Sequence, residues 1–555
     1  LKGSSEGVPK LVDLLSAAKE IVFVKMELLI LSSLLMLALV GSSAIPSGTA
    51  LWPLPRSFQA GTTVLNIAPR SSFTISSSAR GTAKAPLDAA FQRFQDRAFL
   101  HGEGSTVGGH LVSSLRVHIS DEDVPLQLGV DESYLLDVTV EGNATISAET
   151  IFGAYHALET FSQLITYNFD NGGYQMAGAP WHIEDGPRYP HREVLVDSSR
   201  HFEPVSVIKH LIDSMAMAKV NVLHWHIIDS QSFPAPSQVH PELAAKGAYS
   251  PDERYSWQDL KDVVAFASAR GIRVVPEFDM PAHTDSWAKS HPELFPNACK
   301  SALDPANENT YKMIEELLQD WSTVFPDSVV HLGTDELPES CWNNTVDLAF
   351  MKQQGIKNLG DLFGYFVARV VEIARRVGKR AAVWDESIIR TDRTPSHAVV
   401  QIWHNDQGLL QKALDEGHDA VFSPDGPWYL DGLGSTWEAM YALDPATGLS
   451  PAPGKVLGGG GEMWGETVDP SDLESTVWPR MAAIAEKLWS PKAATAVGPE
   501  AVRGRLQAFR CWLLHQGVRT GLVGGNGRAP PPGPGGCSQS GGKSSAVNAI
   551  HVVYV

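Results

Sequence analysis

Positive charge is in short supply in this 555-residue chain: lysine and arginine total 44 against 63 aspartates and glutamates, a formal net charge of −19. No basic run interleaved with aromatics breaks that balance, which argues against a nucleic-acid partner. Long apolar runs are missing too. The longest, 28–40, is shorter than the roughly 20 residues that a membrane span needs. It follows Lys25 and Met26 and precedes the small residues Ser42-Ser43-Ala44, so 26–44 reads as a secretory signal peptide and 1–25 as a leader outside the native chain. Cysteine is sparse, at four. Its even number fits the oxidising compartment that a signal peptide implies, and sequence order suggests Cys299 with Cys341 and Cys511 with Cys537, one of the three connectivities that four cysteines allow.

Apolar residues make up 43% of the chain, enough to fill sizeable cores, and the length suits a large barrel with a smaller partner domain. Residues 50–185 mix short strands, one expected at 138–140, with a helix near 151–166, the pattern of a small α+β domain. From 187 to 523, strand-like runs alternate with helical stretches at 193–197, 220–229, 272–279, 329–336, 380–386, 399–404, 420–424 and 457–466. That count of eight is what a closed (β/α)8 barrel requires. An open parallel sheet fits less well, because no Gly-rich phosphate turn follows the first strand. Residues 524–555 are rich in Gly, Pro and Ser and are expected to be largely disordered. Asn143-Ala144-Thr145 and Asn343-Asn344-Thr345 are glycosylation acceptors, with Asn143 and Asn343 as the attachment points.

Chemistry concentrates where these strands end. The segment Val329-Val330-His331-Leu332-Gly333-Thr334-Asp335-Glu336 is an apolar strand that carries two adjacent carboxylates into its C-terminal turn. Neighbouring residues on a regular strand face opposite ways, so Asp335 and Glu336 can share a cavity only if the backbone turns there. Tryptophan is abundant, at 15, and several tryptophans fall at strand ends, where flat apolar faces suit sugar rings.

The segments His191-Arg192-Glu193, Asp197-Ser198-Ser199-Arg200-His201-Phe202, His224-Trp225-His226, Asp229-Ser230-Gln231-Ser232-Phe233-Pro234, Pro276-Glu277-Phe278-Asp279-Met280-Pro281-Ala282-His283 and 332–336 together resemble the β-N-acetylhexosaminidases of glycoside hydrolase family 20, of the eukaryotic lysosomal or secreted type. Pro427-Trp428-Tyr429-Leu430-Asp431, Met463-Trp464-Gly465-Glu466 and Trp478-Pro479-Arg480 extend the likeness. The resemblance implies an exo-acting, retaining enzyme that removes terminal β-linked N-acetylglucosamine or N-acetylgalactosamine. In this family the substrate's own acetamide oxygen attacks the anomeric carbon to form an oxazolinium. It further implies that Glu336 is the general acid and base, that Asp335 orients the acetamide, that His283 tunes Glu336 with Asp279 behind it, and that Asp229 belongs to the site. Trp384, Trp403 and Trp464 match the aromatic walls, and Tyr429 the donor to the acetamide oxygen. Arg192 and Glu466 are assigned to the non-reducing end, and Asp431 to the sugar's 6-position, where a carboxylate disfavours anionic sugars. Two close carboxylates also push one pKa upward, which suits an acid that starts protonated.

The expected partner is therefore a glycan. No cofactor or metal is called for, a homodimer is a carry-over from relatives, and the address is extracellular, lysosomal or vacuolar. Two departures stand out: Thr334 occupies a position where the family commonly has Gly, and Asp385 one where many members carry Gln, although Glu386 is retained. A glycan-binding protein disabled by Thr334 is one rival reading. The other is a metal-dependent hydrolase that uses His224, His226, Asp229, Asp279 and His283.

Overall fold

The computed structural model describes residues 45–524 except 47–48, 106–107 and 297–298. The leader, the signal peptide, Cys537 and almost all of the tail expectation lie outside the described residues. No described helix is long and apolar enough to cross a membrane.

Residues up to Asp185 form a mixed sheet in the order Thr74–Ser77, Ser114–Ile119, Asn143–Ala148, Tyr134–Val138, Gly173–Asp185, Ser57–Ile67, Leu111–Val112. Burial alternates residue by residue along Ser114–Ile119 and Asn143–Ala148, as in a sheet with one face covered and one wet. The covering layer is the helices Gly81–Ala98 and Ile151–Leu164. Thr150 caps the second helix by accepting from the backbone of Phe152 and Gly153, and nearly every residue of that helix is buried. The strand expected at 138–140 instead ends at Val138. Thr139 opens a tight turn closed by Gly142, whose φ of +88° an L side chain rarely adopts.

The second unit is a closed parallel barrel of eight strands: His191–Asp197, Val222–His226, Arg273–Met280, Val329–Gly333, Arg380–Trp384, Val399–Ile402, Asp419–Phe422 and Val456–Met463. Helices pack outside with an apolar stripe inward. In Leu359–Arg376 that stripe is Leu362, Phe363, Phe366, Val367, Val370, Val371 and Ala374, the three-and-four spacing of one helical face. The glycine run of the last strand is what lets it pair with the first. A Cβ on Gly458 would sit 1.7 Å from the His191 carbonyl oxygen, and one on Gly460 would sit 2.1 Å from Glu193 Cγ.

The barrel interior is layered. At the strand starts, Val222, Val275, Val329, Ala382, Val399, Val421 and Leu457 make an apolar floor, against which Leu128 of the first domain packs. Above it lies a wholly buried polar layer that includes Glu193, His224, Glu277, His331, Gln401 and Glu462. The two domains are joined below the floor by buried ion pairs, Arg192 with Glu132 and Lys219 with Asp185. Cys299 and Cys341 are disulfide-linked, and Cys511 is disulfide-bonded as well. Both glycosylation acceptors, Asn143 and Asn343, are exposed.

Candidate active site

The fourth barrel strand stops at Gly333 because the backbone leaves the β region there: φ is +66° at Gly333, +82° at Thr334 and +48° at Glu336. This turn brings both carboxylates to one cavity. Gly333 admits no substitute, since an added Cβ would lie 1.7 Å from Asp279 Oδ1. Thr334 is accommodated, fully buried, in the left-handed region, with its hydroxyl unpartnered. The cavity measures about 300 Å³ and is lined by Arg200, His283, Asp335, Glu336, Trp384, Trp403, Tyr429, Asp431, Trp464, Glu466 and Thr467.

His283 sits between the carboxylates. Its Nε2 is 3.4 Å from Glu336 Oε2 and 3.7 Å from Asp335 Oδ2, and its Nδ1 is 3.2 Å from Asp229 Oδ1. Asp229 does not line the cavity. It lies behind His283, taking His226 Nε2 at 2.7 Å and Arg200 Nη2 at 2.8 Å on its other oxygen. The chain continues inward: His226 Nδ1 meets Glu277 Oε2 at 2.6 Å, and Glu277 Oε1 accepts from Trp384 Nε1 at 2.8 Å. Glu277 therefore holds both the His226–Asp229–His283 chain behind Glu336 and the Trp384 wall. Asp279, also behind His283, is 4.0 Å from its Nε2.

Burial pushes the Asp335 carboxyl up to about 7, with the Glu386, Glu277 and Glu336 carboxylates adding to the rise against the pull of His283. Glu336 is lowered by the hydrogen bond from His283. The upward shift expected for the acid thus falls on its neighbour. The reason is exposure: the Asp335 side chain is 13% exposed and Glu336 62%. Burial alone would lower His283, but the carboxylates of Asp279 and Asp335 reverse this and hold it well above its ordinary value.

The walls are fixed from outside. Trp403 Nε1 donates to Glu386 Oε2 at 2.9 Å, and Asp385 accepts the backbone N–H groups of Trp403 and His404 and pairs with the His404 ring. A carboxylate at position 385 anchors the strand end that presents Trp403, which accounts for the departure there. Burial raises the Tyr429 phenol well above its usual range, so it remains a donor. Asp197 ties the rim together, accepting from Gly465 N at 3.0 Å and from Arg200 Nη1 at 2.9 Å, while Arg200 packs over Trp464. Arg200 Nη2 reaches to 3.7 Å from Glu466 Oε1.

Arg192 is not part of this site, which corrects its assignment to the sugar. It lies near the start of the first strand, at the opposite end of the barrel, fully buried and bonded to Glu132. The arginine that reaches the cavity is Arg200, just past the C-terminal end of the same strand. The signal was legible: only residues at strand C-termini can reach the mouth. Thr467 was also missed, and only its place after Glu466 marks it. Of the five residues in the metal-hydrolase reading, only His283 lines the cavity. His224 lies between Glu193 and Glu277 beneath Trp384, and His226 faces Asp229 and Glu277.

Residues 189–492 match the description "Glycosyl hydrolase family 20, catalytic domain", and 51–164 match "beta-acetyl hexosaminidase like". Beta-hexosaminidase 1 of Arabidopsis thaliana is 39% identical over 511 residues, covering 88% of this chain and 94% of the relative. Beta-hexosaminidase subunit beta of Felis catus is 35% identical over 511 residues, covering 87% and 94%. The solved chitobiase of Flavobacterium johnsoniae superposes with a TM-score of 0.76 at 28% identity, covering 86% of this chain and 74% of that one. With the two beta-hexosaminidases spanned almost end to end and the catalytic-domain description matching more than half of the chain, the protein belongs to glycosyl hydrolase family 20.

Proposed function

We propose that the chain is an exo-acting β-N-acetylhexosaminidase that hydrolyses terminal, non-reducing N-acetyl-β-D-glucosamine or galactosamine with retention, using the substrate's acetamide as nucleophile. The observation that carries this reading is the turn at 333–336, which aims two carboxylates of opposite pKa direction into one cavity walled by Trp384, Trp403 and Trp464. Asp335 takes the acetamide N–H and Tyr429 donates to the acetamide oxygen, so the oxygen is held for attack on the anomeric carbon. Glu336 protonates the departing glycosidic oxygen and then, as carboxylate, takes a proton from the water that opens the oxazolinium. The hydrogen bond from His283 lowers it. A bound sugar displaces the water around it, which raises its pKa toward that of a competent acid.

Arg200 and Glu466 grip the hydroxyls of the terminal sugar and so restrict cleavage to chain ends. Asp431, raised to about 6 chiefly by burial and then by Glu466, confers a preference for sugars that are neutral at the 6-position. We further propose a compartment of the secretory pathway as the working location, supported by the Cys299–Cys341 disulfide.

The test is release of a chromogenic leaving group from its β-N-acetylglucosaminide at mildly acidic pH, with and without EDTA, for the wild type and Glu336→Gln. A loss of about a hundredfold or more in the variant, with the wild type indifferent to chelator, is expected. Folded wild-type protein without turnover would overturn the enzymatic reading and leave a glycan-binding role.

A further inference from the structure

Two loops on the catalytic end of the barrel meet at a cluster that the chemistry above does not use. His240 ends the loop after the second strand, Glu242 opens the helix Glu242–Gly247, and His291, in the loop after the third strand, precedes the turn Pro292–Leu294. Glu242 Oε1 lies 2.8 Å from His291 Nε2 and 3.6 Å from His240 Nδ1, and one donor atom from each of the three residues falls within 4.8 Å of the others. Around a tetrahedral zinc ion with bonds of about 2.0–2.1 Å, ligand atoms are about 3.4 Å apart, the scale of these separations.

The outward ring nitrogens are occupied as well. His240 Nε2 is 3.0 Å from Glu316 Oε2, and His291 Nδ1 is 3.0 Å from Glu293 Oε1. A carboxylate on the far nitrogen of each imidazole fixes the tautomer that turns a lone pair toward the shared point, the arrangement usual behind metal-bound histidines. The inward nitrogen of His291 is shielded from solvent and, despite the nearness of Glu242, makes no hydrogen bond. A nitrogen close to an acceptor but not aligned with it is suited to a third atom set between them.

We propose that His240, His291 and Glu242 form a structural zinc site, with Glu316 and Glu293 as its outer carboxylates and water as the fourth ligand. Two imidazoles and one carboxylate favour zinc over the oxygen-seeking magnesium or calcium. The ion staples the loop that follows Asp229 to the loop that follows His283 and holds apart from the pocket, none of whose lining residues it uses.

The experiment is isothermal titration of zinc chloride into full-length, chelator-treated and then dialysed protein, with circular-dichroism melting in parallel. The wild type should bind one zinc ion more than either His240→Ala or His291→Ala, and its melting temperature should rise with zinc but not with magnesium. Glu316→Gln, which leaves all three ligands in place, should weaken that ion about tenfold. Wild-type protein that takes up no zinc, or folded His240→Ala and His291→Ala variants that bind as much zinc as the wild type, would overturn the site.

Discussion

The two ends of the barrel bury charge in opposite ways. Beneath the floor, Arg192 gives both terminal nitrogens to Glu132, at 3.1 and 2.6 Å, and its remaining bonds to the carbonyls of Lys219 and Tyr189. Asp185 accepts from Lys219, Tyr134, Trp489 and the backbones of Arg56 and Gly186. Each of these charges is saturated. At the mouth, Asp335 Oδ1 and Asp431 Oδ1 are shielded from water yet lack a hydrogen bond. A finished network joins domains, whereas an unfinished one waits for a ligand to complete it.

The largest test of this contrast sets one residue from each end against the other. Arg192→Met should cost about 3–5 kcal/mol in denaturant titrations, because Glu132 is left charged and buried, while turnover per folded molecule is kept. Glu466→Gln should do the reverse: melting stays near wild type and kcat/KM falls about 10- to 100-fold.

Next in size is pH. Asp335 titrates near 7 folded against an ordinary 3.8, so the native state holds a proton that the unfolded chain releases. Its contribution to stability is fully present below about 4 and is lost as pH rises through about 7, a difference on the order of 4 kcal/mol. Asp335→Asn should flatten that part of the stability–pH curve; an unchanged slope would remove Asp335 as its source.

Smaller still is selectivity at the rim. Asp431→Asn should narrow the preference for neutral over 6-sulfated substrate by about tenfold. In the wild type the preference should shrink as pH falls through about 6, where Asp431 takes up its proton. The smallest effect is expected at Thr334. Replacing this β-branched residue at φ +82° with Gly should raise stability by about 1 kcal/mol with little change in kcat, read from melting and turnover.

What was legible in the sequence follows the same division. The eight strands were visible because each buried strand is a short apolar run between helical stretches, and the turn at 333–336 because adjacent carboxylates at a strand end demand one. Strand limits ran long at 220–229 and 329–336, since side-chain pattern does not show where φ changes sign. Arg192 and Arg200 lie eight positions apart in similar company, and only the direction of the strand tells bottom from top. Which of Asp335 and Glu336 is raised depends on burial that no spacing encodes. The partnership of Glu132 with Arg192 spans 60 positions and two domains. The meeting of His240 with His291 likewise depends on how two loops fold back over the barrel.

The layered interior also decides how a long glycan would be consumed. Below Trp384 the barrel is filled by the buried polar layer, then by the apolar floor, then by Leu128, so among the described residues nothing leaves room for a glycan to thread through it. A cleaved sugar must leave by the way it came, and the shortened chain must back out before the next sugar can enter. Distributive digestion, one residue per encounter, is the expected outcome, read as intermediates of every length accumulating in solution.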